Sequence, residues 1–355
     1  KDGSNYYVVN YDDVSGSTST VTSGSKVGGR VINIFRDEIK NIRSDNLKKI
    51  INSTKEIEDK IGIYPIDLEF CISKSQKVYI LQIRPLSTIR NWKKFKKSEI
   101  KNILDKNKKK FIKINNVNSK YGKYPVFGLM PDWNPAEIIG NQPSELTYSL
   151  YSKLVTKNSW SKARSEMGYT KIKEPLMYKF TGKPFIDTRL SFASLIPNSV
   201  SKKISLQLVE HWSKVLISKP YLHDKIEFEI ADGSYDLDSK KKILSKYNFL
   251  SKREKKNYLT SLKKITENQI NNYQVKFHNY NKKLIFLENK RLSLIKKFYK
   301  DKKNLSKYLK NFLNLLKSHG IVPFAQYARN AFIGKKWLNS FLNNKIINKK
   351  KYDLI

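Results

Sequence analysis

Along residues 1–90 the apolar positions recur with two different periods, and each change of period marks a new element. YYVVNYDD (Tyr6 to Asp13) and RVINIF (Arg30 to Phe35) read as strands joined by a Gly/Ser/Thr-rich loop. From about Asp45 the period lengthens. Leu47, Ile50, Ile51, Ile57 and Ile61 recur near helical spacing, and Gly62 is the expected stop. Alternation returns in DLEFCISKSQKVYILQIRP (Asp67 to Pro85), which predicts two strands around a polar turn at Ser73 to Lys77.

Side chains on a strand point to alternate faces. Leu68, Phe70 and Ile72 therefore oppose Asp67, Glu69 and Cys71, while Tyr79, Leu81 and Ile83 oppose Val78, Ile80, Gln82 and Arg84. Joining the two apolar sets pairs Leu68 with Ile83, Phe70 with Leu81 and Ile72 with Tyr79. A slip of one residue would mix the faces. The same register sets Glu69 across from Gln82 and Asp67 across from Arg84, roughly 5 Å apart at Cβ. This polar face reads either as a solvated, salt-bridged surface or as a site for a metal and a polyphosphate. Mg²⁺ takes one or two carboxylates plus phosphate oxygens. Glu69 and the Gln82 carbonyl suit that role, and the Arg84 fork suits phosphate.

Residues from Trp92 to about Lys123 are basic and sparsely apolar, and predict a linker (91–124) with a short helix. PVFGLMPDWNPAEIIGNQPSEL (Pro125 to Leu146) predicts an ordered loop. Its MPDWNP part either lines a pocket or anchors the junction, with polar side chains held by their own backbone. Helical spacing then dominates residues 144–168, 201–218 and 239–317. Ser251 and Glu254 form a capping-box signature. Gly320 and Pro323 are read as ending one helix before another from Ala325 to Phe341. The fold class is α+β, with domains at 1–90 and 125–355, the second mainly helical.

Composition narrows the chemistry. One cysteine, Cys71, excludes an internal disulfide and a cysteine-based zinc site, and fits a reducing, cytoplasmic setting. No apolar run approaches a membrane span. His211, His223, His278 and His319 show no metal-ligand spacing and are expected at surfaces or helix ends. TSGSKVGG (Thr22 to Gly29) either cradles phosphate or is a plain connecting loop, and it matches neither a Walker A nor a GxGxxG pattern. The net charge of +39 favours anionic partners. The abundance of Lys, Asn, Ile and Tyr also fits a genome rich in A and T. The lysines are spread out instead of forming one block, which points away from nucleic acid.

DLEF followed by VYILQIRP resembles the end of the ATP-binding domain in the pyruvate phosphate dikinase and phosphoenolpyruvate synthase family. That family's pattern reads D-[IL]-E-F and then [IL]-L-Q-x-R-P. YYVVNYDD with VTSG, then MPDWNPAEIIG, GKPFIDTRLSF, LHDKIEFEI and VPFAQYARNAFI, are similar to its phosphoenolpyruvate synthase-like branch. The resemblance implies an ATP-grasp fold whose C-terminal half lies at residues 1–90. It implies Glu69 as an Mg²⁺ ligand, Gln82 as a second ligand or nucleotide contact, and Arg84 as the catalytic phosphate-binding group. The cofactors would be ATP and Mg²⁺.

The chain begins with Lys1 and is expected to be a fragment. The first half of the ATP-grasp domain and the phosphohistidine domain of the family are not in this sequence. The expected function is an ATP-dependent dikinase-type phosphotransferase that passes phosphate through that carrier to an unidentified small-molecule acceptor. The helical region would stand where related enzymes, such as rifampicin phosphotransferases, place their acceptor-binding domain. The alternative is a basic helical nucleic-acid-binding protein, which a steep salt dependence of nucleic-acid binding would reveal.

Overall fold

Tyr7 and Val9 alternate inward along β1 (Tyr6–Asp12), and β2 (Gly29–Phe35) pairs with it antiparallel, setting Ile34 beside Tyr7 and Ile32 beside Val9. The computed structural model describes residues 6–13, 29–62, 65–85, 97–300 and 304–354. The loop Thr22 to Gly29 lies outside them except for Gly29. The chain divides into two compact units, Lys1–Asn102 and Ile103–Ile355, and the observed class is α+β.

In the first unit, α1 (Asp45–Ile61) starts where Ser44 accepts a hydrogen bond from the Leu47 N–H. It stops at Gly62, whose φ of 69° is the left-handed conformation that a side chain disfavours. Leu47 and Ile51 on its inner face pack with Tyr7, Val9 and Ile42, and Phe70 of β3 closes the cluster. β3 (Ile66–Ile72) and β4 (Val78–Pro85) form the expected hairpin.

Its register is only half as expected. Asp67 pairs with Arg84, Leu68 with Ile83 and Glu69 with Gln82. A bulge then leaves Leu81 unpaired, so that Phe70 meets Ile80, Cys71 meets Tyr79 and Ile72 meets Val78. The bulge keeps the apolar count of the packed face and changes its members. The bulge moves Val78 and Ile80 onto the face of Leu68, Phe70 and Ile72, where both are half-buried, and leaves Tyr79 and Leu81 at 45% and 65% exposure. Straight alternation would have turned Val78 and Ile80 to solvent.

A buried ion pair locks this unit. Both nitrogens of the Arg36 fork reach Glu58 of α1 at 2.7 and 2.8 Å, and Arg36 also donates to Tyr7 Oη at 2.9 Å while lying 3.9 Å over its ring. The pair thus ties the end of the β1–β2 hairpin to α1. It also walls a cavity of about 470 Å³ with Tyr7, Lys55 and Asp59.

The second unit begins with a helix longer than the short one expected. In α2 (Lys97–Asn118), Phe111 stacks near Phe127 and Phe180, and the buried Asn118 donates to Asp187 and Tyr178 at 2.9 and 3.0 Å. Those partners belong to a sheet that the sequence reading did not contain, with β5 (Phe127–Gly128), β6 (Met177–Phe180) and β7 (Lys183–Asp187) in the antiparallel order β5-β7-β6. The β6–β7 turn is Thr181-Gly182, both with positive φ, of 48° and 86°. Thr is an uncommon first residue for such a turn, which is why the hairpin carried little signal.

Short helices α3 (Pro135–Ile138), α4 (Glu145–Tyr151), α5 (Ser159–Glu166) and α6 (Thr188–Ala193) lead to α7 (Lys202–Ser218). They enclose a core around Trp160, Ile186, Leu190, Phe192, Leu208 and Trp212. Next come α8 (Ser239–Lys246), α9 (Lys252–Asn271), α10 (Tyr273–Lys300) and α11 (Leu305–Leu315). The stop expected at Gly320 is absent. A π turn over Leu316–Ile321 carries the chain straight into α12 (Val322–Asn343), whose first turn holds Pro323. Proline donates no backbone N–H, and Pro323 follows directly on the π turn, where the helical bonding register changes. Gly320 serves close approach instead. A Cβ there would stand 3.0 Å from Leu316 and 3.2 Å from Leu287 of α10. Among the described residues no helix is long and apolar enough to cross a membrane.

Two stability predictions follow from these contacts. Arg36→Met leaves the Glu58 carboxylate buried without its guanidinium and should cost about 3–5 kcal/mol, read as a lower urea midpoint for the first unit, with Arg36→Lys intermediate. At the start of α9 the Ser251 N–H donates to Glu254 at 2.9 Å, and Ser251 Oγ accepts from the Glu254 N–H at 3.2 Å. The Ser251 backbone, then Lys203, hold the Glu254 pKa down from 4.5 to about 2. A lowered folded-state pKa gives stability that is full above 4.5 and lost as pH falls toward 2. Ser251→Ala should cost about 1 kcal/mol, and Glu254→Gln should flatten the acid dependence of the urea midpoint within that window.

Candidate functional site

The polar face of the β3–β4 hairpin gathers the residues singled out by the sequence. Glu69 and Gln82 are direct partners across the ladder, on the unbulged side of Leu81. Arg84, one alternation further along β4, reaches diagonally past Asp67. Its Nη2 donates to Glu69 Oε1 at 2.5 Å. Asp67 is therefore the backbone partner of Arg84, but Glu69 takes its charge. The Arg84 and Glu69 side chains are 53% and 43% exposed, and Gln82 is exposed. An acid, an amide and a guanidinium thus share one open patch. An ion pair this exposed contributes at most about 1 kcal/mol, so either partner can leave it for a ligand at small cost.

The donor set has a definite chemistry. Among the described residues no group of three or more His, Cys, Asp or Glu side chains is arranged to hold a metal. Glu69 and Gln82 offer two hard oxygens, which matches a cation that completes its shell with phosphate and water, the habit of Mg²⁺, and not a cation that needs an all-protein cage. Cys71 lies on the same strand and is exposed and free.

The second unit holds a charged cluster that the sequence did not reveal. Arg164 of α5 grips Asp132 with two bonds of 2.9 and 2.7 Å, donates to Ser194 Oγ at 2.6 Å, and pairs with Glu227. Ser191 also donates to Asp132, at 2.6 Å. Arg329 of α12 stands 3.9 Å from Glu227. All four charged side chains are at least nine-tenths buried. Burial pushes the Glu227 carboxyl up despite the pull of Arg164.

The backbone around this cluster is strained. Asp132 and Asn134 have φ of 61° and 40°, in the left-handed region, and Glu227 rides on a π turn over Ile226–Ile230. The MPDWNP stretch works as an anchor and, through Pro131, also lines a hollow. Asp132 is tied to Arg164, and the Trp133 carbonyl accepts from Tyr151 Oη at 2.6 Å. An apolar hollow of about 390 Å³ lies beside it, lined by Phe127, Leu129, Pro131, Phe185, Ile217 and His223. A possible signal for the cluster was the Asp-Trp-Asn-Pro order, but nothing in it names Arg164, Glu227 or Arg329 as partners 32 or more positions away.

The histidines stay apart from both sites' chemistry. His211 is half-buried 5.4 Å from the Tyr247 ring, and burial pushes its pKa down. His319 sits inside the π turn, bonded to Ser318 and 5.1 Å from the Phe286 ring, so it is not the helix terminator that the sequence predicts.

Residues 11–107 match the family model described as pyruvate phosphate dikinase, AMP/ATP-binding domain. No curated protein and no solved structure matches the chain. The matched stretch contains the Glu69, Gln82 and Arg84 patch, and residues 108–355 lie outside it. Over residues 11–107 the chain is therefore similar to the nucleotide-binding domain of the pyruvate phosphate dikinase and phosphoenolpyruvate synthase family, the same family that DLEF and VYILQIRP resemble.

Proposed function

We propose that the first unit is the C-terminal half of an ATP-grasp nucleotide-binding domain, and that the protein acts as an ATP-dependent dikinase-type phosphotransferase. The observation that carries this reading is the patch itself. Glu69, Gln82 and Arg84 share one open sheet face within the stretch that matches an AMP/ATP-binding domain.

On this reading Arg84 is the catalytic group. Its fork leaves Glu69 for the phosphate chain of ATP and stabilises the charge that spreads over the phosphoryl oxygens during transfer. That exchange would free the Glu69 carboxylate, and Glu69 with the Gln82 carbonyl would hold Mg²⁺. The bound metal supplies further neutralisation of the triphosphate. The phosphate then passes through a phosphohistidine carrier to a small-molecule acceptor, and the helical unit is the part assigned to bind that acceptor.

In the intact protein, Glu69→Ala and Arg84→Ala should each lower ATP-dependent phosphoryl transfer by about 10²-fold or more. Thermal stability should change by no more than about 1 kcal/mol, because the pair is exposed. Transfer at the unaltered rate in both variants would overturn the assignment. Calorimetric titration of ATP should show a Mg²⁺ requirement that Glu69→Ala weakens. Arg84→Lys should restore nucleotide binding better than transfer, since an ammonium keeps the charge but not the two-pronged geometry.

A further inference from the structure

The long helix α10 has two apolar faces. One is its packing face: Tyr280 is buried, Leu287 and Leu294 are half-buried, and Gly320 of the π turn comes close to Leu287. The other is formed by Leu284, Ile285, Leu292 and Ile295, which are 41%, 62%, 46% and 41% exposed. At 3.6 residues per turn the two faces are about 110° apart around the helix, so the second belongs to no internal layer among the described residues.

The second face has the layout of a coiled-coil seam. Ile285, Glu288, Leu292 and Ile295 fall at alternating spacings of three and four, the a and d positions of a heptad. Glu288 is the one polar member, and its charge is taken by Arg291 at 2.6 and 2.8 Å. The flanking e and g positions are Lys282, Asn289 and Lys296 on one side and Leu284 and Arg291 on the other. At the start of the same seam, α12 already acts as a neighbour. Tyr327 donates to Asn281 at 3.3 Å and packs 5.6 Å from the Phe277 ring. From Leu284 onward the seam is open among the described residues.

Charge decides what can cover it. α10 carries eight Lys and Arg against the single acid Glu288, and every charged flank of the seam is basic. Flanking charges set partner choice in such seams. A second copy of this chain would bring like charges face to face, in a protein already at +39. A bilayer favours a broad apolar face, whereas this one is a narrow ridge.

We propose that the outer seam of α10 docks an acidic amphipathic helix from another protein, one with aliphatic residues at its a and d positions and Glu or Asp at e and g. The apolar ridge supplies the contact, and Lys282 and Lys296 select the acidic partner.

The test uses a labelled three-heptad peptide with Leu at a and d and Glu at e and g, and the same peptide with Lys in place of Glu. Fluorescence anisotropy with the full chain should show saturable binding of the acidic peptide and at least tenfold weaker binding of the basic one. The double variant Ile285→Ser/Ile295→Ser keeps every charge and alters only exposed side chains, so circular dichroism should be unchanged. It should weaken the acidic peptide at least tenfold. Lys282→Glu/Lys296→Glu should shift the preference toward the basic peptide. Three results would each overturn the proposal: no binding of the acidic peptide; equal binding by the serine variant, which would mean general attraction to a basic chain; or sedimentation of the chain as a dimer that Ile285→Ser/Ile295→Ser dissociates. Uptake of the wild-type chain, but not of the serine variant, by neutral phosphatidylcholine vesicles would assign the ridge to a bilayer instead.

Discussion

The packed face of the β3–β4 hairpin takes six apolar side chains in either register, and the structure chooses between two sets of them. Leu68, Phe70 and Ile72 are in phase, but Val78 and Ile80 are out of phase with Ile83. One unpaired residue, Leu81, brings them into phase. The ladder gains Val78 and Ile80 on its packed face and turns Tyr79 and Leu81 out at 45% and 65% exposure. The exchange packs two β-branched side chains, which suit a pleated sheet face, and leaves the Tyr79 hydroxyl in water. The consequence for chemistry is positional. Because the bulge lies beyond the Glu69–Gln82 pair, the segment carrying Glu69, Gln82 and Arg84 keeps its simple register, and the three polar side chains stay on one face.

The two units hold their charges in opposite ways. At the hairpin, Glu69 and Arg84 are about half exposed, so their pairing is weak and exchangeable. This is what a binding patch requires, because a ligand must compete with the internal partner. Arg36 with Glu58 in the first unit, and Arg164 with Asp132 and Glu227 in the second, are buried and multiply bonded. Breaking such a pair strands a charge out of water, so these residues act as fixed points that hold one element against another. The strained φ angles at Asp132 and Asn134 persist because Arg164, Ser191 and Tyr151 hold that loop from three directions.

What the sequence disclosed well was local. Gly62 ends α1 as its residue type requires, Ser251 and Glu254 form the capping box, and Asp67 to Pro85 folds into two strands. Each of these rests on contacts a few positions apart, or on a period that repeats within one element. Local pattern misleads where a residue type has two uses. Glycine often ends helices, yet Gly320 lets α10 approach a continuous helix. Thr181-Gly182 closes a hairpin with a residue that seldom takes that position, so β6 and β7 went unread.

The sequence alone determined the pairing of Glu69 with Gln82 and of Asp67 with Arg84, because period two and a short turn leave little freedom. It also determined the resemblance that residues 11–107 bear to a nucleotide-binding domain. Tertiary structure decided that Arg84 gives its charge to Glu69 and not to Asp67, that Leu81 bulges, and that Asp132, Arg164, Glu227 and Arg329 meet in one buried cluster. Those outcomes depend on how much apolar surface each arrangement buries and on which charges are left without water. Both are properties of residues brought together from distant positions, and no local pattern records them.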